Sequence, residues 1–233
     1  MHGETSRCRE RLKEFCVGYG IDVGYGGDPI VPGAITIDLP QPYTKVGDAS
    51  LNLGGDARDL RWFADNSLNF VYSSHLLEDF EAHETKVVLL EWLRVLTVGG
   101  YLILYLPDEQ KYRKHCKATG QDYNCAHKIE NFSLDYIKSV LEEIPGIEIV
   151  HENPACEDYS FEVVIRKTGS SDIRNLTKKR REEETKELRK SLVEKDDYIK
   201  SLEQTIFRMM NTRGWRMLER VRKIRNRFFP LQR

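Results

Sequence analysis

Short apolar runs alternate with amphipathic stretches between about residues 18 and 167 of this 233-residue chain. Short apolar runs predict buried strands, whereas apolar positions spaced three and four residues apart predict helices. The alternation predicts an α/β fold with a mostly parallel sheet covered by helices. The predicted strands are Tyr19–Val23, Ala34–Asp38, a weak one near Ala49–Leu53, Asn69–Ser73, Tyr101–Leu106, Ile147–His151 and Tyr159–Arg166, and the predicted helices are Thr5–Phe15, His83–Leu96 and Ser133–Glu143.

Local signals place two of the helix ends. Ser133 is expected to cap the start of the third helix, and Pro145 with Gly146 to end it. The pair Gly99 and Gly100 is expected to end the second helix.

A charged segment follows residue 167. Residues 168–171 predict a linker, and about 40 residues rich in Lys, Arg and Glu come after it. Alternating spacings of four and three residues within this segment predict the seam of a coiled coil that joins copies of the chain into a homo-oligomer. A charged helix folded back on the domain is the alternative. The seam positions are Leu188, Leu192, Lys195, Ile199, Leu202, Ile206 and Met209.

The last segment predicts a basic amphipathic helix. Its apolar stripe contains Trp215, Leu218, Val221, Ile224, Phe228 and Phe229. Residues 208–233 carry nine Lys and Arg against Glu219 alone, whereas the rest of the chain carries 27 basic and 36 acidic side chains. A basic helix with aromatic residues on one apolar face is typical of contact with a membrane surface. Nucleic acid is the less favoured partner, because the aromatic residues do not lie between the basic ones.

Taken together, these segments predict three parts of the chain, namely residues 1–168, 169–211 and 212–233.

Composition indicates the compartment. The five cysteines form no CxxC pair, which argues against a disulfide framework. No apolar run is long enough to span a membrane, and the chain does not open with a signal peptide. The chain is therefore expected in the cytoplasm, with the tail as a peripheral contact to the cytoplasmic face of the inner membrane.

A glycine-rich turn between two acidic strands is the main candidate for chemistry. The first strand contains Asp22, and Gly24, Gly26 and Gly27 follow it, whereas the second strand ends at Asp38. A turn without Cβ atoms lets a ligand approach the backbone, and a carboxylate at the next strand end accepts hydrogen bonds from ribose hydroxyls. Only about ten residues separate the strands, too few for a full helix. The missing helix N-terminus argues mildly against a dinucleotide.

Four motifs in series carry a family resemblance. They are the turn at 20–27 with Asp38, the segment 53–60, the segment 65–80 with Ser73, Ser74 and His75, and the segment 93–104. Residues 18–167 resemble class I S-adenosylmethionine-dependent methyltransferases, in particular those of bacterial polysaccharide assembly. The resemblance implies a Rossmann-like seven-stranded sheet, S-adenosylmethionine as cofactor, and O-methylation of a sugar in a bacterial glycan or a lipid-linked saccharide.

The same resemblance implies cofactor-binding residues. The loop after the first strand would contact the cofactor, Asp38 and Leu39 would take the ribose, Asp56 and Ala57 would meet the adenine, and Ser73 and Ser74 would lie at the methyl-donor end. Asp28 replaces the usual third glycine, and Val98 replaces the usual proline before Gly99. Structural roles remain the alternatives for Asp22, Asp38, Asp56 and Asp59, and Arg58 is expected to form an ion pair. The loop residues are Asp22, Gly24, Tyr25 and Gly26.

A sugar hydroxyl benefits from a general base, and histidine is the natural candidate. His75 and His127 are the predicted catalytic residues, with a structural imidazole as the alternative for His75. Glu78 and Asp79 are equally explained as acids at a helix start. No metal is predicted, although a zinc site or a magnesium site could be drawn from residues 108–127. The candidate ligands would be His115, Cys116, Cys125 and His127 for zinc, and Asp108 or Glu109 for magnesium.

Two rival functions remain at this point. One is a small-molecule N- or O-methyltransferase. The other is a non-catalytic scaffold with the methyltransferase fold that recruits a glycosyltransferase.

Overall fold

The computed structural model describes residues 3–40 and 51–228, with side chains described up to residue 223. The strands are β1 Gly20–Val23, β2 Ile35–Asp38, β3 Leu53–Gly54, β4 Leu68–Ser74, β5 Leu96–Pro107, β6 Ile147–Cys156 and β7 Ser160–Lys167. The helices are α1 Glu4–Leu12, α2 Ala82–Val95, α3 Glu109–Thr119, α4 Leu134–Leu141, α5 Ser171–Met210 and α6 Arg213–Phe228. Two 3₁₀ turns, Lys13–Phe15 and Leu77–Asp79, complete the set.

The seven strands form one sheet in the order β3-β2-β1-β4-β5-β7-β6. Only β7 runs antiparallel to its neighbours, β5 and β6. The predicted α/β fold with a seven-stranded, mostly parallel sheet is confirmed. The order reverses between β1 and β4, so the loops after these two strands leave the sheet at the same edge. In open α/β sheets this is the place where ligands bind.

Both faces of the sheet are covered. Alternate residues of a strand point to opposite faces, so Ile21 and Val23 of β1 join the larger core under α2 and α4. On the other face, Phe70 and Tyr72 of β4 pack with Cys8 of α1. Asp22 therefore lies on the α1 side, between two residues of the larger core.

The prediction that Gly99 and Gly100 end the second helix was wrong. Helix α2 ends at Val95, and β5 begins at Leu96 and runs through both glycines. The Lys167 Nζ donates to the carbonyls of Leu93 at 2.8 Å and Leu96 at 2.6 Å, which satisfies the end of the helix. The carbonyls at the end of α2 are therefore satisfied by a residue on a distant strand, which no local pattern indicates.

Helix α3 was missed by the sequence patterns. Asp108 caps it by accepting a hydrogen bond from the Lys111 amide at 3.0 Å, and Gly120 ends it in a left-handed conformation. Only Glu109, Tyr112 and Cys116 are buried along it, so the apolar periodicity is too weak to detect. The Asp cap and the Gly stop were the available signals.

Other boundaries differ slightly from prediction. The first helix gives way to a 3₁₀ turn after Leu12, and β6 continues to Cys156. The predicted strand near 49–53 appears as Leu53–Gly54, and residues 49 and 50 lie outside the described residues.

The chain divides into two compact units, residues 1–179 and 180–233. The first nine residues of α5 belong to the first unit, where Ile173 and Thr177 are buried. The three predicted domain limits stay predictions.

In the second unit the remainder of α5 carries the predicted seam as an exposed stripe. Leu188 is 66% exposed and Leu202 is 43% exposed. Pairing of this stripe with a second copy stays a prediction. Helix α6 carries the predicted tail, of which Phe229 lies outside the described residues. No helix in the described part of the chain combines the length and the apolar character that crossing a membrane requires.

Candidate active site

The loop after β1 is held close to the sheet by backbone hydrogen bonds. The amides of Gly24 and Tyr25 donate to the Ile37 carbonyl of β2 at 2.9 and 3.2 Å. Gly24 has a φ of 77°, and a Cβ there would lie 2.7 Å from Leu76 Cδ2. The loops after β1 and β4 therefore touch at this point, and only glycine fits between them.

Gly26 differs from Gly24 because a Cβ built on it would meet no atom within 4 Å. The turn is thus bare at Gly26, as close approach of a ligand to its backbone requires. Tyr25 between the two glycines is buried, and its hydroxyl has no hydrogen-bond partner among the described residues.

Asp22 of β1 stabilises the loop that contains this turn. Its carboxylate is 2% exposed and accepts a hydrogen bond from the Ile30 amide at 2.8 Å. Burial raises the pKa of Asp22 to about 7. The geometry gives Asp22 a role in closing the loop, in agreement with the turn-capping alternative. Direct contact of Asp22 with a cofactor stays a prediction.

Asp38 lies at the carboxyl end of β2, next to the turn. One of its oxygens accepts from the Leu39 amide at 2.6 Å, and Leu39 itself is 46% exposed. Partial burial raises the pKa of Asp38. A half-buried carboxylate at this strand end fits the two hydroxyls of a ribose.

The residues predicted to meet an adenine are engaged in local contacts. Asp56 accepts from Arg58 Nη2 at 2.6 Å, and Arg58 also bonds Glu84 at 2.8 Å, as expected for an ion-pair residue. The Arg58 hydrogen bonds lower the pKa of Asp56. The Ala57 carbonyl accepts from the Trp92 indole at 2.8 Å. To accept a hydrogen bond from the amine of an adenine, the Asp56 carboxylate would have to share its oxygens with Arg58.

The end of β4 brings three predicted residues together. Ser73 and Ser74 have buried hydroxyls without a hydrogen-bond partner in the described part of the chain. Ser73 pairs with Val23 in the parallel register, so Ser74 lies beside the start of the glycine turn. Buried hydroxyls are normally hydrogen-bonded, and such orphans mark places where a ligand or water supplies the partner. The bare turn, the Asp38 carboxylate and these hydroxyls fit a nucleoside cofactor.

His75 follows these serines in a left-handed conformation with a φ of 47°. Its amide donates to the Tyr105 carbonyl at 3.0 Å, and its Nε2 lies 3.2 Å from Ser160 Oγ. Glu4 of α1 lies on the same side, with Oε2 3.6 Å from His75 Nε2. Burial lowers the pKa of His75 to about 4, so the ring is neutral near pH 7.

His127 lies on the far side of Glu78 from His75, and its side chain is almost fully buried. Its Nδ1 lies 2.8 Å from Glu109 Oε2, and its ring packs on Tyr112 at a centroid distance of 5.0 Å. Between the two imidazoles is the carboxyl of Glu78, with Oε1 3.6 Å from His75 Nδ1 and 3.8 Å from His127 Nε2. The structure thus connects both predicted histidines through one acidic side chain.

The sequence patterns missed the roles of Glu4, Glu78 and Glu109 at this site. Each is an acid in the first turn of a helix, a common position without special meaning. A signal lies in the position of Glu78 three residues after His75. Among the described residues no group of three or more His, Cys, Asp or Glu side chains is arranged to hold a metal ion.

Comparisons with known proteins agree with this geometry. A family model described as a methyltransferase domain matches residues 36–104, and no curated protein matches. The structure of an S-adenosylmethionine-dependent methyltransferase from Archaeoglobus fulgidus is 14% identical, with a TM-score of 0.51 over 71% of this chain and 95% of that one. A structure described for the conversion of a disulfide bond into a thioacetal group during echinomycin biosynthesis is 13% identical, with a TM-score of 0.51 over 72% and 84%.

At these identities the solved structures establish the fold, and the family model adds the kind of domain. Its matched segment runs from β2 into β5 and contains Asp38, Ser73, Ser74 and His75. Residues 36–104 therefore match a methyltransferase domain, and the sheet of this chain has the fold of solved methyltransferase structures.

Proposed function

We propose that this domain methylates a hydroxyl group of a sugar, in a bacterial glycan or a lipid-linked saccharide. The observation that carries the proposal is the neutral, mostly buried imidazole of His75 at the end of β4, directly before the loop that touches the glycine turn. A left-handed non-glycine residue costs on the order of 1 kcal/mol and is often found at functional sites. The position therefore supports a role in the reaction.

The chemistry explains why a neutral imidazole is useful here. When bound, S-adenosylmethionine supplies a methyl group on a positively charged sulfur. A sugar hydroxyl is a weak nucleophile near neutral pH because it keeps its proton, so a base that takes this proton speeds the transfer. The residues of this chain would orient the hydroxyl, exclude water and take the proton at His75 Nε2.

The surroundings of His75 also support a polar acceptor. Ser160 and Glu4 lie beside its Nε2, and the Tyr159 hydroxyl donates to Glu4 at 2.9 Å. Carboxylates and hydroxyls that converge on one point fix the orientation of a polar ligand. A polyhydroxylated acceptor fits such a site better than an apolar small molecule does.

A methyl-transfer assay tests the proposal. The full chain is incubated with S-adenosylmethionine labelled in its methyl group and with polyprenyl-diphosphate-linked oligosaccharides, free oligosaccharides, or simple phenols and amines. Label in a sugar O-methyl group, identified by mass spectrometry after acid hydrolysis, is the expected result. Label confined to the phenols or amines, or no label in any saccharide, would contradict the proposal.

We further propose that the basic tail brings the domain to an anionic membrane surface, where lipid-linked saccharides are found. Trp215, Leu218 and Val221 lie on α6 and are 40%, 66% and 55% exposed. Basic residues surround this stripe on the same helix. Exposed apolar residues within a basic helix fit the interface of a bilayer, where each basic residue contributes about 1 kcal/mol.

The tail proposal predicts binding of the full chain to vesicles that contain an anionic lipid. Exchanging Arg216 and Arg220 for Gln should weaken binding roughly thirtyfold, because two contributions of about 1 kcal/mol are lost. Binding should also weaken as salt rises. Co-sedimentation measures both effects. The control exchanges the exposed Lys186 and Lys190 of α5 for Gln and should change little. Equal losses in both variants, or binding that ignores lipid charge and salt, would refute the assignment.

A further inference from the structure

We infer that Glu78 relays the proton released by methyl transfer from His75 to His127, and that Glu109 receives it near the surface. The inference deepens the proposed function and rests on it, because transfer to a hydroxyl releases one proton per turnover. Glu78 does not reach the acceptor itself, so it acts as a relay and positioning residue.

Four side chains alternate between imidazole and carboxyl along this path. Glu78 Oε1 lies 3.6 Å from His75 Nδ1 and 3.8 Å from His127 Nε2. His127 Nδ1 lies 2.8 Å from Glu109 Oε2. The two longer steps exceed hydrogen-bond distance by less than about 1 Å, and catalytic contacts are often long before a substrate is bound.

The path ends at side chains that reach solvent. Glu109 is buried, but its Oε1 accepts from Tyr123 Oη at 2.6 Å and from Arg113 Nε at 2.6 Å. Tyr123 is 39% exposed, and the Arg113 side chain is 46% exposed. A proton that arrives at Glu109 is therefore one side chain away from water.

The buried carboxyl of Glu78 lowers the stability of the fold, which a function would explain. The residue is 1% exposed, and neither carboxyl oxygen accepts a hydrogen bond from the described residues. A buried polar group without a partner costs stability, so a purely structural position would favour an apolar residue. A carboxyl between two imidazoles can exchange a proton with each of them only when no other group occupies its oxygens.

Electrostatics distinguishes the two carboxyls of the path: Glu78 favours its protonated form, and Glu109 favours its ionised form, which passes a proton on to water readily. Burial, with Asp79 and Glu109 as nearby acids, raises the pKa of Glu78 well above its ordinary value, which favours the protonated carboxyl. Burial alone raises the pKa of Glu109, but hydrogen bonds from Tyr123, His127 and Arg113 bring it below its ordinary value. The groups that face this path from the packed elements are Glu4 and Arg7 of α1, Asp79 beside Glu78, Tyr105 of β5, Tyr112 and Arg113 of α3, Tyr123 and Tyr159.

The proton balance of one turnover is complete without another reactant, and it leaves both imidazoles in the other tautomer, so the rings must return to the first tautomer before the next turnover. The acceptor O–H bond breaks as its oxygen takes the methyl group, and the proton passes to His75 Nε2. The Nδ1 proton of His75 moves to the Glu78 carboxyl, whose own proton moves to His127 Nε2. The Nδ1 proton of His127 then moves to Glu109, and from there to water. No group is oxidised or reduced.

An NMR titration of the full chain with ¹⁵N-labelled histidine tests the relay without an acceptor. In the wild-type chain we expect the His75 and His127 signals to show one inflection in common, apart from the titration of the His75 ring itself, because ionisation of Glu78 reaches both rings. Glu78→Gln should remove this shared inflection, since an amide has the same shape but does not ionise. Glu78→Asp should retain it.

The matched control is Glu143→Gln, which removes a 65%-exposed carboxylate paired with Lys86 and should leave both titrations unchanged. If Glu78→Gln does not fold, Glu109→Gln gives the second reading, because the His127 titration should shift while the chain stays folded. Two results overturn the relay, namely the lack of any common inflection in the wild-type chain or a common inflection that survives in Glu78→Gln. A negative sugar-transfer assay overturns the acceptor instead, so the two failures are read separately.

Discussion

Gly26→Leu is expected to remove binding of S-adenosylhomocysteine, the product form of the cofactor, while the melting temperature stays the same. A side chain at Gly26 enters open space, because a Cβ there has no neighbour within 4 Å. The fold should therefore tolerate leucine, but the added atoms would occupy the approach to the turn. We expect affinity to fall at least about a hundredfold, which corresponds to about 2.8 kcal/mol. Calorimetric titration measures it.

The control for this substitution is Gly33→Leu. A Cβ at Gly33 likewise meets no atom within 4 Å, and the residue is exposed after the turn. This variant should bind S-adenosylhomocysteine as the wild-type chain does. If Gly26→Leu binds normally, the cofactor does not pass over this turn. If both variants lose binding, the effect is not specific to Gly26.

His75→Asn is expected to lower turnover by about 10² to 10⁴-fold, the usual contribution of a general base. Asparagine tolerates the left-handed conformation observed at His75, so the backbone should be preserved. Turnover should fall because asparagine cannot take a proton. The affinity for S-adenosylhomocysteine should not change. His83→Asn, at an exposed position of α2, is the control and should keep full activity.

The pH profile provides a second reading of the same residue. Because the pKa of His75 is lowered to about 4, the neutral base is present throughout the neutral range and is lost only as pH falls toward 4. Turnover should therefore stay level between about pH 8 and 5. If the base were an exposed histidine, turnover would instead fall near pH 6.5. Normal turnover in His75→Asn, or a decline centred near pH 6.5, would contradict the assignment.

Tertiary context changed the interpretation of two acidic residues. The family resemblance implies that Asp22 contacts the cofactor, which stays a prediction, and the structure adds that its carboxylate accepts a hydrogen bond from the Ile30 amide eight residues away. Glu78 was explained equally well as an acid at a helix start, yet it lies between two imidazoles. In both cases the residue type was visible in the sequence, whereas its partner was set by the path of the chain.

The sequence by itself determined the succession of strands and helices except α3, the glycine turn followed by Asp38, and the charged helices in the last part of the chain. These features depend on local patterns of apolar, glycine and charged residues, which is why they can be predicted without coordinates. Only the tertiary structure decided that Lys167 ends α2, that Asp22 closes the turn, and that His75, Glu78, His127 and Glu109 form one path. The contacts of Lys167 with α2 and of His127 with Glu78 and Glu109 join residues far apart in the chain, and the packing of the sheet against its helices sets their distances.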